Sequence, residues 1–184
     1  LELAVSGITD EALYTIVHYC PGIKTLRLIR CECTTADGIV ALAALRNLHV
    51  LDLNGTSGVI NDSVIPIVVN NQALNNICLR HASAINSLAV MKIASSCAGL
   101  TALDVSYFIF VKDDAIALLA NHCSQLQDLQ LCGCEYITDM SMLRLANMCS
   151  KLTSINIKDC SYVTKITMDA FAFSGVKPYK KKLR

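Results

Sequence analysis

Ten cysteines and four histidines in 184 residues supply enough thiol and imidazole for a metal centre or a nucleophilic site. Cys31-Glu-Cys33 and Cys132-Gly-Cys134 place two thiols one residue apart. Zinc needs four ligands converging as a tetrahedron, usually from pairs with two to four residues between them, and neither pair has that spacing. His18, His49, His81 and His122 have no nucleophile at a recognisable spacing. Asn54-Gly55-Thr56-Ser57-Gly58 is a turn sequence rather than a phosphate-cradling loop. We expect no metal, no cofactor and no catalytic residue.

The cysteines are ordered by a different rule. Seven of them, Cys20, Cys31, Cys97, Cys123, Cys134, Cys149 and Cys160, fall on positions that recur through the whole chain. The clearest recurring signal is an apolar-x-apolar pair. It occurs at Leu1/Leu3, Leu26/Leu28, Leu51/Leu53, Ile77/Leu79, Leu103/Val105, Leu129/Leu131 and Ile155/Ile157, in steps of 25 or 26 residues. A second landmark, Cys20, Leu45, Asn71, Cys97, Cys123, Cys149, keeps the same step, as does a third, Ser6, Cys31, Thr56, Ala82, Phe108, Cys134, Cys160. Landmark cysteines therefore face the core one layer apart, as small buried hydrophobes. Cys33, Cys78 and Cys132 are off this register, and alternation puts Cys78 and Cys132 on the exposed strand face as candidate reactive thiols.

Each repeat contains the elements that must position these residues. The apolar-x-apolar pair has period 2 and predicts a short strand with one face buried. A turn follows, then a helix start such as Ile8-Thr9-Asp10-Glu11 or Ile137-Thr138-Asp139, where Thr or Asp can cap the first turn. Helical spacing then places Leu13, Ile16 and Val17, or Met142, Leu143, Leu145 and Ala146, on one face. One such unit cannot bury its apolar face alone, so the repeats must stack with strands parallel and helices opposite.

Composition narrows the class. The chain is 53% hydrophobic, has no Trp and carries net charge +1. The core is therefore aliphatic, and no overall field draws the protein to nucleic acid or anionic lipid. No apolar run reaches the ~18–20 residues of a membrane span, and no signal peptide is visible at the start. A chain this long and apolar does not need disulfide staples, which favours a reducing compartment, cytoplasmic or nuclear. The chain opens without Met inside a repeat, as a fragment of something longer would.

The pattern L-x-L-x-x-C-x-x-I-T-D…C-x-x-L, nearly complete at Leu129-Gln-Leu-Cys-Gly-Cys-Glu-Tyr-Ile-Thr-Asp139, resembles the cysteine-containing leucine-rich repeat of F-box/leucine-rich-repeat proteins. Thr56, Asn71, Ala82 and Phe108 depart from it in the middle repeats. The resemblance implies an α/β leucine-rich-repeat solenoid, a horseshoe with parallel strands on its concave face and helices on its convex face. The repeat domain is expected over residues 1–176, its first repeat incomplete, with a basic tail over 177–184. The tail is expected to be solvated; its alternative role is docking to an acidic partner or nuclear targeting.

The resemblance also implies function. Such repeats hold the substrate of a ubiquitin-ligase receptor, with contact to the ligase adaptor through an F-box outside these 184 residues. The same scaffold serves structurally in ciliary regulatory complexes, which admits a cilium as location, and in mitochondrial assembly proteins. In either case a protein partner is expected on the concave face, at Arg27, Arg30, Asp52, Asn54, Arg80, His81, Asp104, Tyr107, Asp128, Gln130, Asn156 and Lys158. Glu2, Thr25, Cys78 and Asp159 share that face by register. Arg27, Arg30 and Arg80 precede Asp104 and Asp128, predicting a basic-then-acidic stripe suited to a partner of reverse pattern.

Overall fold

A computed structural model describes residues 1–4, 7–176 and 178–179. Strands and helices alternate: β1 (Glu2–Ala4), α1 (Asp10–Tyr19), β2 (Thr25–Ile29), α2 (Ala36–Ala41), β3 (Val50–Asp52), α3 (Asn61–Asn70), β4 (Asn76–Cys78), α4 (Ser87–Ser96), β5 (Ala102–Asp104), α5 (Asp113–His122), β6 (Asp128–Gln130), α6 (Asp139–Met148), β7 (Ser154–Asn156) and α7 (Lys165–Phe173). The strands form one parallel sheet in sequence order. Its register is the repeat itself: Leu26 lies opposite Leu51, Leu51 opposite Ile77, Ile77 opposite Leu103, Leu103 opposite Leu129 and Leu129 opposite Ile155. The chain is thus the α/β leucine-rich-repeat solenoid that the period predicts. Helix α2 is short and finishes in a 3-10 turn, Leu42–Ala44, which absorbs the residue that repeat lacks relative to its 26-residue successors.

The core is one continuous apolar column. Each inner repeat contributes both residues of its strand pair, for example Leu51 and Leu53, and a helical set such as Val64, Ile67 and Val68, all fully buried. Strands pack ~4.8 Å apart, whereas packed helices need ~8–10 Å. The stack therefore opens on the helix side and curves around the strand face.

Hydrogen bonds link each layer to the one before it. The buried landmark thiols donate to carbonyls of the preceding repeat: Cys123 Sγ to Cys97 O at 3.7 Å, Cys149 Sγ to Cys123 O at 3.9 Å, Cys134 Sγ to Val105 O at 3.4 Å and Cys160 Sγ to Leu131 O at 3.1 Å. Burial pushes the Cys97 thiol up to about 11, and burial with its neighbours Cys97 and Cys149 pushes Cys123 up to about 12. The two polar departures do the same work. Thr56 donates to Leu28 O and accepts from Cys31 N–H, and Asn71 accepts the Leu48 N–H at 3.0 Å while donating to Ile67 O at 2.9 Å. Cys20 corrects the expectation for its series. It is exposed, because no helix lies before α1 among the described residues to cover it.

The Thr-Asp motif also departs from simple capping. Thr138 and Thr164 cap their own helices, but Thr9 makes no side-chain cap bond. The Asp that opens one helix instead grips the Thr of the next repeat. Asp10 accepts the N–H and hydroxyl of Thr35 at 2.8 and 2.6 Å, Asp113 those of Thr138 at 2.8 and 2.6 Å, and Asp139 those of Thr164 at 2.9 and 2.6 Å. Burial alone would raise the Asp113 and Asp139 carboxyls. The hydrogen bonds from Thr138 and Ser141, and from Thr164 and Thr167, outweigh it and hold both below the usual carboxylate range. Gly38 makes room for the first of these grips, since a Cβ there would fall 2.0 Å from the Asp10 carboxylate.

Beyond α7 the backbone rejoins the sheet. Tyr179 N–H donates to Ile155 O at 2.9 Å, and Ile157 N–H to Tyr179 O at 3.1 Å. Lys177 and residues 180–184, which carry the basic charge expected of the tail, lie outside the described residues, as does Ser6 of the third landmark.

Candidate partner-binding face

The residues after each buried strand pair stand in two columns on the concave side. The first runs Asn54, Arg80, Ser106, Cys132, Lys158; the second runs Arg30, Gly55, His81, Tyr107, Gly133, Asp159. The second column has one backbone signature. Gly55 and Gly133 have φ of 65° and 71°, and Arg30, His81, Tyr107 and Asp159 have φ of 55°, 67°, 69° and 60°. The chain must turn off the strand at this point, and the left-handed conformation does so. Glycine takes it freely, whereas other residues lose roughly 1–2 kcal/mol each. Arginine, histidine and tyrosine are retained at that cost on an open face.

Three of these side chains form a single cluster. The His81 and Tyr107 rings stack with centroids 4.5 Å apart and planes 9° from parallel. The Arg80 guanidinium lies 5.2 Å from the Tyr107 centroid, and its Nε reaches His81 Nε2 at 3.2 Å. Tyr107 also leans over Gly133, where a Cβ would meet its ring at 2.9 Å. Its hydroxyl accepts from Cys132 Sγ at 3.7 Å, and Asp159 Oδ2 lies 4.0 Å from the same sulfur and 3.9 Å from Lys158 Nζ. The result is a continuous band of cation, aromatic rings and carboxylate across repeats four to seven.

The two thiols of this side are covered to different degrees. Cys132 corrects the expectation of an exposed position: it is 4% exposed, covered by Tyr107 and Asp159. Cys78 is half-buried, and burial, with Asp52 and Asp104 nearby, pushes its thiol up to about 12.

The other predicted residues are placed as follows. Arg27 lies between Glu2 and Asp52 in the sheet and pairs with Glu2 at 3.7 Å. Asp52, Asp104 and Asn156 each turn one side-chain oxygen back to the N–H two residues on, at Asn54, Ser106 and Lys158 (3.0, 2.9 and 3.1 Å). These residues hold the strand ends as well as lining the face. Asp128, two residues nearer the strand start, accepts from Gln130 Nε2 at 2.6 Å. Asn54 Oδ1 is buried with no hydrogen-bond partner among the described residues. Asp52 and Asp104 end their strands and Asp128 opens β6, whereas Arg30, Arg80 and Lys158 stand just past the strand ends.

A second apolar surface lies on the edge where strands hand over to helices. Phe110, Tyr136 and Tyr162 are 53%, 50% and 61% exposed, each bridging the helix-start residue of the preceding repeat. The first four repeats have Gly7, Cys33, Gly58 and Ala84 there. The 26-residue step between the aromatics was the signal that could have found them.

No family model matches the chain, and no curated protein sequence matches it. Solved structures do. A chain in the crystal structure of the Rad7 and Elc1 complex in yeast superposes with a TM-score of 0.77 at 16% identity, over 89% of this chain and 44% of that one. This chain therefore spans less than half of that neighbour, and the likeness is one of fold.

Proposed function

We propose that this chain is a protein-interaction scaffold rather than an enzyme, and that its concave face holds the substrate of an F-box-type ubiquitin-ligase receptor. The observation that carries the reading is the Arg80–His81–Tyr107 cluster: arginine and an aromatic pair, held rigidly on an open face by an unfavourable backbone conformation. Tyr and Arg are the residue types that dominate binding energy at protein interfaces. Side chains fixed before binding lose little entropy on contact. Non-glycine residues in such backbone positions tend to mark functional surfaces. The ligase role rests on the cysteine-containing repeat and on a fold shared with a chain from a protein complex; a reducing compartment accords with the free thiols.

The test is affinity purification of the full-length protein with and without proteasome inhibition. A ligase receptor recovers the adaptor together with a partner whose yield rises on inhibition. A stable, stoichiometric assembly with no adaptor and no response to inhibition would replace this role with that of a structural subunit on the same scaffold.

A further inference from the structure

The exposed aromatic row at the strand-to-helix edge has a regular geometry. Phe110, Tyr136 and Tyr162 each bridge the helix-start residue of the preceding repeat, Asn86, Lys112 and Thr138 respectively. Lys112 lies two residues beyond Phe110, and Thr138 two beyond Tyr136. Successive aromatics are therefore displaced by one strand spacing sideways and two residues along the chain. Displacements of about 4.8 Å and about 6.6 Å combine to about 8 Å between backbones, and the interval widens where the stack opens toward the helices. The helix side of the row repeats the pattern with Leu88, Asp114, Met140 and Ile166, the second residues of α4 to α7, all exposed. Two open clefts share Asp114 as a wall, one also lined by Phe110 and Lys112, the other by Met140 and Ala117.

We propose that this row is a second docking surface, separate from the concave face, and that it takes a proline-rich segment of a partner protein in the polyproline II conformation. Spacing selects the occupant. A polyproline II helix presents the same face every three residues, about 9.3 Å. A strand does so every ~6.7 Å and an α-helix every ~5.4 Å, both shorter than the interval between the rings. Prolines at every third position therefore meet Phe110, Tyr136 and Tyr162 in turn. The polyproline II backbone makes no internal hydrogen bonds, so its carbonyls are open to the phenol donors of Tyr136 and Tyr162. Such a segment is already extended and loses little entropy on docking against aromatic rings. Charge agrees with a neutral, apolar ligand: Lys112 is accompanied by Asp113, Asp114 and Glu135, so the row does not attract a polyanion such as nucleic acid. Gly7, Cys33, Gly58 and Ala84 cannot continue the row into the first four repeats. The surface thus spans repeats five to seven and takes a core of about seven residues.

The probe is a synthetic peptide with proline at every third position and alanine between, titrated into the isotope-labelled chain while the amides of Phe110, Tyr136 and Tyr162 are followed by NMR. We expect saturable shifts there, weakened at least about tenfold in Y136A/Y162A, as loss of two aromatic anchors requires. Y136F/Y162F, which keeps the rings, should bind more tightly than the alanine variant. The concave reversal R30E/R80E should leave the titration unchanged, so this surface stands or falls independently of the concave one. A spin label at the end of the peptide should broaden the same amides in the wild-type chain, a reading that depends on no variant folding. Shifts that fail to saturate, that survive Y136A/Y162A, or that move in R30E/R80E instead overturn the proposal. So does tighter binding by either of two controls, the same peptide with its prolines replaced by alanine or an amphipathic helical peptide.

Discussion

Tyr107 is costly where it stands, and its neighbours are shaped around it. Glycine at 133 is required twice over, by its φ of 71° and by the Tyr107 ring that lies 2.9 Å from any Cβ there. Gly133→Ala should cost about 1–2 kcal/mol from the backbone alone and displace the ring, so a urea melt and a partner-binding assay should fall together. Arg30→Gly should behave oppositely. It relieves the left-handed strain and raises stability by about 1 kcal/mol while removing a contact residue; lower stability would show that Arg30 packs as well as projects. Thr56 tests the hydrogen bond that replaces a landmark cysteine. Thr56→Val leaves buried groups unpaired and should cost about 1–3 kcal/mol. Thr56→Cys, which restores the thiol donor that Cys31, Cys134 and Cys160 supply at this landmark, should cost measurably less in the same melt. None of this detail was visible in the sequence, because the period locates a residue in its column but not the φ of its backbone.

At the scale of the elements, the repeat-to-repeat grip of Asp on Thr predicts a pH dependence. Asp113 and Asp139 have folded-state carboxyls below the usual range, whereas unfolded Asp titrates near ~3.9. Their stabilisation is therefore complete above about pH 5 and is lost as pH falls through the unfolded and then the folded value. The double variant D113N/D139N should be less stable at pH 7 and show a flatter acid limb in thermal melts; an unchanged acid limb would remove the carboxylates from the account. Strand and helix positions were legible in the sequence to within a residue or two, since the period-2 pair and the helical spacing each recur seven times. What was not legible is the destination of the helix-start Asp. Local chemistry suggests a cap on its own helix, and only the stack brings the next Thr within reach.

For the whole molecule, stability is shared between adjacent layers. Leu131→Ala, at a fully buried site in the sixth repeat, should cost about 2–5 kcal/mol and loosen the flanking repeats first. Hydrogen exchange should show protection greatest around β4 and β5 and least at β1, which has a neighbour on one side only among the described strands. The architecture could be read from the repeat, whereas the Arg80–His81–Tyr107 cluster arises from residues of adjacent repeats that only the register brings together.

The account's central claim is that the concave face grips a protein. The most direct measurement is quantitative affinity purification from cells with the wild-type chain, the concave reversal R27E/R30E/R80E and a helix-face control, K92E/R144E. Exposed charge changes of this kind contribute only ~0–1 kcal/mol per pair to folding, so all three should be equally folded by circular dichroism. The account predicts a specific protein recovered by wild type and by the helix-face control and lost from the concave reversal. Recovery undiminished by the reversal, or lost only in the helix-face control, would contradict it.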